Sequence, residues 1–231
     1  MARVIAIDGP AASGKSSTAA LVAERLGWAH LDSGALYRAL TLAALDHARG
    51  PDARGESWSA QRILALAEGR PVRLVMDGRV FRPEVAGVDV ADAIRSDQVT
   101  ANVSAVAALP EIRAWVNARQ REAVAAHPDG VVVDGRDIGT VVFPDAPLKV
   151  FLTATPEERA RRRLSQRGQP LDDNLVARES AELSARDQAD ANRAVAPLRA
   201  ADDAVRLDTT RLSLEGQVER VVALARQCFP G

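Results

Sequence analysis

An α/β fold built on a parallel sheet is what this sequence predicts, and three observations carry the prediction. The apolar run Val4-Ile5-Ala6-Ile7 leads directly into Gly9-Pro10-Ala11-Ala12-Ser13-Gly14-Lys15-Ser16 and then into a helical pattern, the order of strand, glycine-bearing loop and helix. Val131-Val132-Val133 and Leu148-Lys149-Val150-Phe151-Leu152 are apolar runs rather than alternating ones, as expected of parallel strands covered on both faces. At 231 residues and 47% hydrophobic content, the chain can form one such domain with embellishments or a small insert.

The loop from Gly9 to Ser16 fits GxxxxGK(S/T), a P-loop. Each residue type has a reason. Glycines let backbone N–H groups curl around phosphate oxygens, Lys15 reaches the β- and γ-phosphates, and the Ser16 hydroxyl can hold Mg²⁺. The helix after the loop aims its positive end at the same anion. The expected ligand is a nucleoside triphosphate.

Taken in order, Ser17 to Leu26 reads as a helix stopped by Gly27, and Trp28-Ala29-His30-Leu31 as a second strand. That strand delivers Asp32-Ser33-Gly34 to the edge where open α/β sheets bind ligands; on their own, Asp32 and Ser33 read as a helix N-cap. A helix from about 34 to 49 carries Tyr37 and Arg38 in its first turn. Residues 50–55 form a loop and Ser59 to Ala67 a helix. Val72 to Met76 and Arg79 to Arg82 alternate about Asp77-Gly78, predicting a hairpin that ends before Pro83, inside an inserted β region over about 69–91. Helical sequence runs from about 92 to 126 with a break at Pro110, and includes Ser104 and Arg113.

The strand at Val131 ends in Asp134-Gly135-Arg136-Asp137, a site-like group of charges at the sheet's C-terminal edge. After Leu152, Thr155-Pro156-Glu157-Glu158 is a capping box with proline at the first helical position. The helix it opens carries Arg159, Arg161, Arg162, Arg163 and Arg167, of which at least two belong to a solvated face. An arginine cluster is also what a phosphoryl-transfer lid requires. A further helix over 172–189 places Arg186 and Asp190 on one face, with Arg193 next in that register. Ala204 to Asp208 is the last strand, and Ser213 caps a closing amphipathic helix.

Composition excludes several classes. Net charge is −1, so no global basic field points to nucleic acid, and any phosphate binding must be local. Lys15 and Lys149 are the only lysines. One cysteine, Cys228, and three scattered histidines exclude a disulfide framework and argue against a Cys/His zinc site. No leader-like segment or long apolar span is seen, so a cytoplasmic protein away from membranes is expected, and no apolar stripe calls for an obligate dimer, so a monomer is expected. A guanine-reading NKxD is absent, which weighs against a GTPase.

Together, IDGPAASGKSS, LDSGALYR, VDGRDIGTVVFPDA and RDQADANRAVAPL resemble the motifs of the bacterial cytidylate kinases, in order and at similar spacing over nearly the whole chain. The resemblance implies a P-loop three-layer fold with a five-stranded parallel sheet, a small antiparallel β insert and a helical lid. Within one kinase unit it implies a core of 1–32, 98–152 and 195–231, a monophosphate-binding region of about 33–97, and a lid of about 155–190. The implied reaction is ATP with CMP or dCMP giving ADP with CDP or dCDP, with Mg²⁺ held in part by Ser16. Carried over, Gly9, Pro10, Ala11, Ala12, Ser13, Gly14, Lys15, Ser16 and Ser17 cradle the ATP phosphates. Arg38, Arg136 and Arg193 clamp the CMP phosphate. Ser104, Arg113 and Asp137 read the cytosine, Arg186 and Asp190 hold the ribose, and Ser33, Tyr37 and Asp134 complete the CMP site. Lid arginines close over the transferring group, with Arg159 and Arg162 as the candidates beside Lys15 and Arg136.

Overall fold

The computed structural model describes residues 3–48, 59–193 and 195–230; the loop expected over 50–55 lies outside them. In chain order the elements are β1 (Val4–Asp8), α1 (Lys15–Leu26), β2 (Ala29–Asp32), α2 (Gly34–Ala48), α3 (Ala60–Gly69), β3 (Val72–Asp77), β4 (Val80–Val85) and β5 (Val88–Asp89). Then come α4 (Asp97–Ala107), α5 (Pro110–Ala125), β6 (Val131–Gly135), β7 (Leu148–Thr153), α6 (Pro156–Gln166), α7 (Asp173–Ala191), β8 (Val205–Asp208) and α8 (Leu214–Cys228). The chain divides into two compact units, Met1–His30 with Pro128–Gly231, and Leu31–His127.

The first unit is built on parallel strands in the order β6-β1-β7-β8, with β2, whose last two residues open the other unit, next to β6. Every residue of β1 and β6 is buried, which is why these strands read as continuous apolar runs. Strand register places the loops: Asp8 is level with Gly135 on one side and Phe151 on the other, so the chain leaves the sheet at one edge after both β1 and β6. α1 and α8 cover one face, where Ile5, Ile7, Val22, Val150, Val218 and Val221 share a core. Full burial of a side chain of this kind stabilises by roughly 1.5–3 kcal/mol.

α6 begins as its capping box predicts, with the Thr155 side chain accepting the Glu158 N–H and Pro156 at the first position. α7 is capped by Asp172, and the pair encloses a small core of Ala160, Leu164, Val176 and Leu183 together with Ala11 of the P-loop.

The second unit is mainly helical around Leu36, Leu40, Ile63, Val103, Ile112 and Val116. Its hairpin has the predicted turn, with Gly78 at φ 59° and Met76 level with Phe81. β4 runs through Pro83 to Val85 rather than stopping before the proline, because Pro83 still contributes its carbonyl, which accepts the Val90 N–H at 3.0 Å. A two-residue antiparallel strand, β5, also lies on β4 and had no sequence signal. Pro110 begins α5 at its first position, where a missing N–H costs nothing.

Candidate functional site

The P-loop joins β1 to α1 and is shaped by its backbone. A side chain at Gly9 would run into the carbonyl of Leu152, and Gly14, at φ 92°, holds a left-handed backbone that favours glycine. Ala12 adopts the left-handed conformation at φ 58° although it is not glycine. The turn closes by Ser13 N–H to Pro10 O and Thr18 N–H to Gly14 O. Lys15 Nζ donates to Pro10 O at 3.1 Å, which folds the ammonium over the loop. Ser17 is exposed in the first turn of α1.

Behind the loop stand three side chains from other segments. Ser16 Oγ donates to Asp134 Oδ2 at 2.5 Å, and His30 Nε2 lies 2.8 Å from Asp134 Oδ1, so the carboxylate is fixed at both oxygens. Serine hydroxyl and carboxylate are hard oxygen donors of the kind Mg²⁺ takes. Asp8, at the end of β1, accepts the Ile138 and Gly139 N–H groups at 2.8 Å each. This pins the π-helical turn over Ile138–Val142, a feature without a sequence signal, and sets the backbone directly after Asp137. Burial raises the Asp8 carboxyl from 3.8 to about 6; the two N–H bonds and Lys15 oppose that rise, and the neighbouring Asp137 charge adds to it.

The arginines of α6 divide by face. Arg159 is 5% exposed and gives Nη1 to Ala11 O and to Asp187 Oδ2. One turn on, Arg162 donates to Ser13 O, Thr209 Oγ1 and Thr209 O, so it braces the underside of the loop. Arg161 and Arg167 are solvated, with side chains 46% and 38% exposed, and Arg163 pairs with Glu179. The two sequence candidates, 159 and 162, are therefore the two that meet the P-loop; their i, i+3 spacing carries that information.

A row of alternating charge crosses this unit. Arg159 meets Asp187, Asp187 meets Arg136 at 3.3 Å, Arg136 meets Asp190 at 3.1 Å, and Asp190 meets Arg193 at 2.5 Å. Asp134, Asp137 and Asp190 are buried, and Arg186 is half-buried on α7. Arg193 lies beyond the end of α7, yet it pairs with Asp190 three residues before it, the neighbour its spacing predicted. Sequence reasoning passed over Asp187, Asp8 and His30. Asp187 was findable: it lies three residues before Asp190 and so shares its helical face.

In the second unit, Arg113 is buried, donates to Ala107 O, and sets its guanidinium 5.6 Å from the Tyr37 ring centroid. Tyr37 donates to Asn117, and Arg38 donates to Ile94 O and Thr100 Oγ1. Ser33 is buried, its carbonyl held by Gln120 Nε2, and Ser104 is half-buried on α4. Asp32 accepts the Gly34 N–H at 2.9 Å, the local capping contact its position predicted.

The family model described as cytidylate kinase matches residues 5–227. The chain belongs to the cytidylate kinase family. A cytidylate kinase of Azotobacter vinelandii is 49% identical over 222 residues, covering 95% of this chain and 93% of that one. One from Pseudomonas syringae pv. tomato is also 49% identical over 222 residues, with 96% and 94% covered. Among solved structures, TT1252 from Thermus thermophilus aligns over 100% of this chain and 99% of that chain at 19% identity and a TM-score of 0.47. Membership gives the P-loop and the charged row a common context within this cytidylate kinase family fold.

Proposed function

We propose that the chain transfers the γ-phosphoryl group of ATP to CMP or dCMP, giving ADP with CDP or dCDP. One observation supports this most: the unit that carries the P-loop and Lys15 also carries three arginines, 136, 159 and 193, linked through Asp187 and Asp190. Phosphoryl transfer asks little covalent work of a protein, so positioning and charge neutralisation are the catalysis, and this set supplies both. No nucleophile or general base need be found.

In this reading Lys15 leaves the Pro10 carbonyl for the β- and γ-phosphates, while the loop's N–H groups bind their oxygens. Arg159 faces the transferring group and Arg162 keeps the loop in shape. Arg136 and Arg193, with Arg38, grip the acceptor's phosphate, because planar forks match phosphate oxygens bidentately. Asp137 accepts from the cytosine amino group and Arg113 donates to its ring acceptor, a pairing that uracil reverses at both positions; Ser104 adds a contact, and Arg186 and Asp190 hold the ribose. Ser33, Tyr37 and Asp134 complete the acceptor site.

Ser16 and Asp134 fit Mg²⁺, which takes one or two protein oxygens and otherwise keeps phosphates and water. Bound there, Mg²⁺ neutralises charge on the β- and γ-phosphates. The proposal also takes residues 155–190 as a lid, 33–97 as the monophosphate-binding region, and 1–32, 98–152 and 195–231 as the core. It takes the protein as a cytoplasmic monomer; no helix among the described residues is long and apolar enough to cross a membrane.

The test is ADP release from ATP with each of CMP, dCMP, UMP, AMP and GMP, and with no acceptor. Release that depends on CMP or dCMP is expected. A profile led by AMP or GMP, or release without an acceptor, overturns the reading.

A further inference from the structure

Asp187 receives hydrogen bonds from three segments at once. Its Oδ1 accepts the Ala11 N–H of the P-loop at 3.1 Å and Arg136 Nη1 at 3.3 Å, and its Oδ2 accepts Arg159 Nη1. All three donors belong to phosphate-handling segments in the proposed reaction, yet Asp187 itself has no part in it. Its side chain is 15% exposed and that of Arg159 is 6% exposed, so the contacts lie mostly out of water. Two guanidinium groups drawn this close repel each other at low effective dielectric unless a carboxylate stands between them.

From this geometry we infer that Asp187 is a positioning residue for phosphoryl transfer: it holds Arg159, the donor-side arginine, and Arg136, the acceptor-side arginine, in one fixed relation and ties both to the P-loop backbone. The inference rests on the proposed kinase reading and deepens it. Bond making and breaking in phosphoryl transfer need the groups flanking the phosphoryl aligned together, and misplacement by about 1 Å can cost around 10²-fold. A carboxylate that touches neither substrate can thus govern the rate by fixing both arginines. Its neighbour Asp190 shares Arg136 but not Arg159, so Asp187 alone of the two connects the donor and acceptor arginines.

The experiment is steady-state kinetics and thermal unfolding of the full chain carrying Asp187→Asn, with Asp203→Asn as the comparison. Asp203 pairs with Lys149 Nζ at 2.8 Å and is bonded to neither the P-loop nor an arginine of the row, so it reports the loss of an ion pair without this geometry. For Asp187→Asn we expect kcat with CMP to fall at least tenfold while KM for ATP and for CMP each move less than about threefold. Asp203→Asn should keep wild-type kcat. A kcat less than tenfold below wild type, a fall in Tm that accounts for the lost activity, or tighter ATP binding with undiminished kcat would each overturn the inference. If Asp187→Asn does not fold, Asp187→Glu takes its place: it keeps the charge but shifts the carboxylate by one methylene, and wild-type kcat in it overturns the proposal equally. Should the wild-type chain fail to phosphorylate CMP, the kinase reading fails first; a CMP-active wild type with an unaffected variant refutes only the role of Asp187.

Discussion

The P-loop and the charged row stand in one unit but are made in opposite ways. The loop is contiguous, nine residues from Gly9 to Ser17, and its shape comes from backbone: one glycine pressed against a carbonyl, a second at φ 92°, one left-handed alanine and a helix start. The row takes Arg136 from the end of β6, Arg159 from α6, and Asp187 and Asp190 from α7, and its shape comes from side chains. A backbone site tolerates changes in side chains that do not themselves reach the ligand. A side-chain site has no such tolerance, since each member holds its neighbours.

Lys15→Ala provides the largest effect and sets the limit of that tolerance, because Lys15 is the one loop side chain that the proposal sends to the transferring phosphates. Loss of one preorganised charge-stabilising donor costs about 10²–10³-fold in kcat. We expect that loss with CMP affinity by calorimetry unchanged; equal loss of CMP affinity would erase the boundary between loop and row.

Asp8 ends the strand that leads into the loop and accepts the Ile138 and Gly139 N–H groups just after β6, and its pH behaviour sharpens the contrast. Its folded pKa of about 6 exceeds the unfolded 3.8, so between about pH 4 and 6 the folded protein keeps a proton that the unfolded chain releases. The folded state's advantage from this group is therefore full below pH 4 and lost as pH rises to 6. At about 1.4 kcal/mol per pH unit the change is roughly 3 kcal/mol. Chemical denaturation of wild type and Asp8→Asn across this range should show wild type losing stability relative to the variant as pH rises; a pH-independent difference would show that Asp8 does not titrate there.

Legibility obeys the same division. The P-loop was readable from residues alone because its function is set by a local run of backbone, and the buried strands were readable because full burial leaves unbroken apolar runs. The i, i+3 spacing sets Arg159 and Arg162 on one side of α6, but that this side faces Ala11 and Ser13 emerges only in the fold. Asp187 was marked only by its three-residue spacing from Asp190 and Asp8 not at all, since a carboxylate beside arginine or before glycine is common and their partners lie up to 176 residues away. The π-helical turn was unreadable for the same reason: it is held by Asp8, far off in sequence. Roles in base reading came from resemblance, and no spacing in the sequence supplies them.

Arg136→Lys tests the row at its middle. A lysine keeps the charge facing Asp187 and Asp190 but loses the fork that could also grip phosphate, and a hydrogen bond to a charged group is worth about 1.5–3 kcal/mol. We expect kcat/KM for CMP to fall by roughly 10- to 150-fold with Tm little changed. Wild-type kinetics would reduce Arg136 to an ion pair that stabilises a turn.

Ala12→Gly should have the smallest effect, and it tests whether the loop is truly a backbone structure. At φ 58° the alanine carries a left-handed strain of about 1–2 kcal/mol, which glycine removes. Two losses oppose that gain. Glycine frees the unfolded chain by about 0.4–1 kcal/mol, and the alanine methyl, packed against the small core under α6 and α7, is worth up to about 0.8 kcal/mol. The opposing contributions nearly cancel, so unfolding free energy should stay within about 1 kcal/mol of wild type and kcat within about threefold. A loss beyond about 2 kcal/mol would mean that the Ala12 methyl, rather than the backbone, holds the loop against the helices, and the cradle would then depend on side chains as fully as the charged row does.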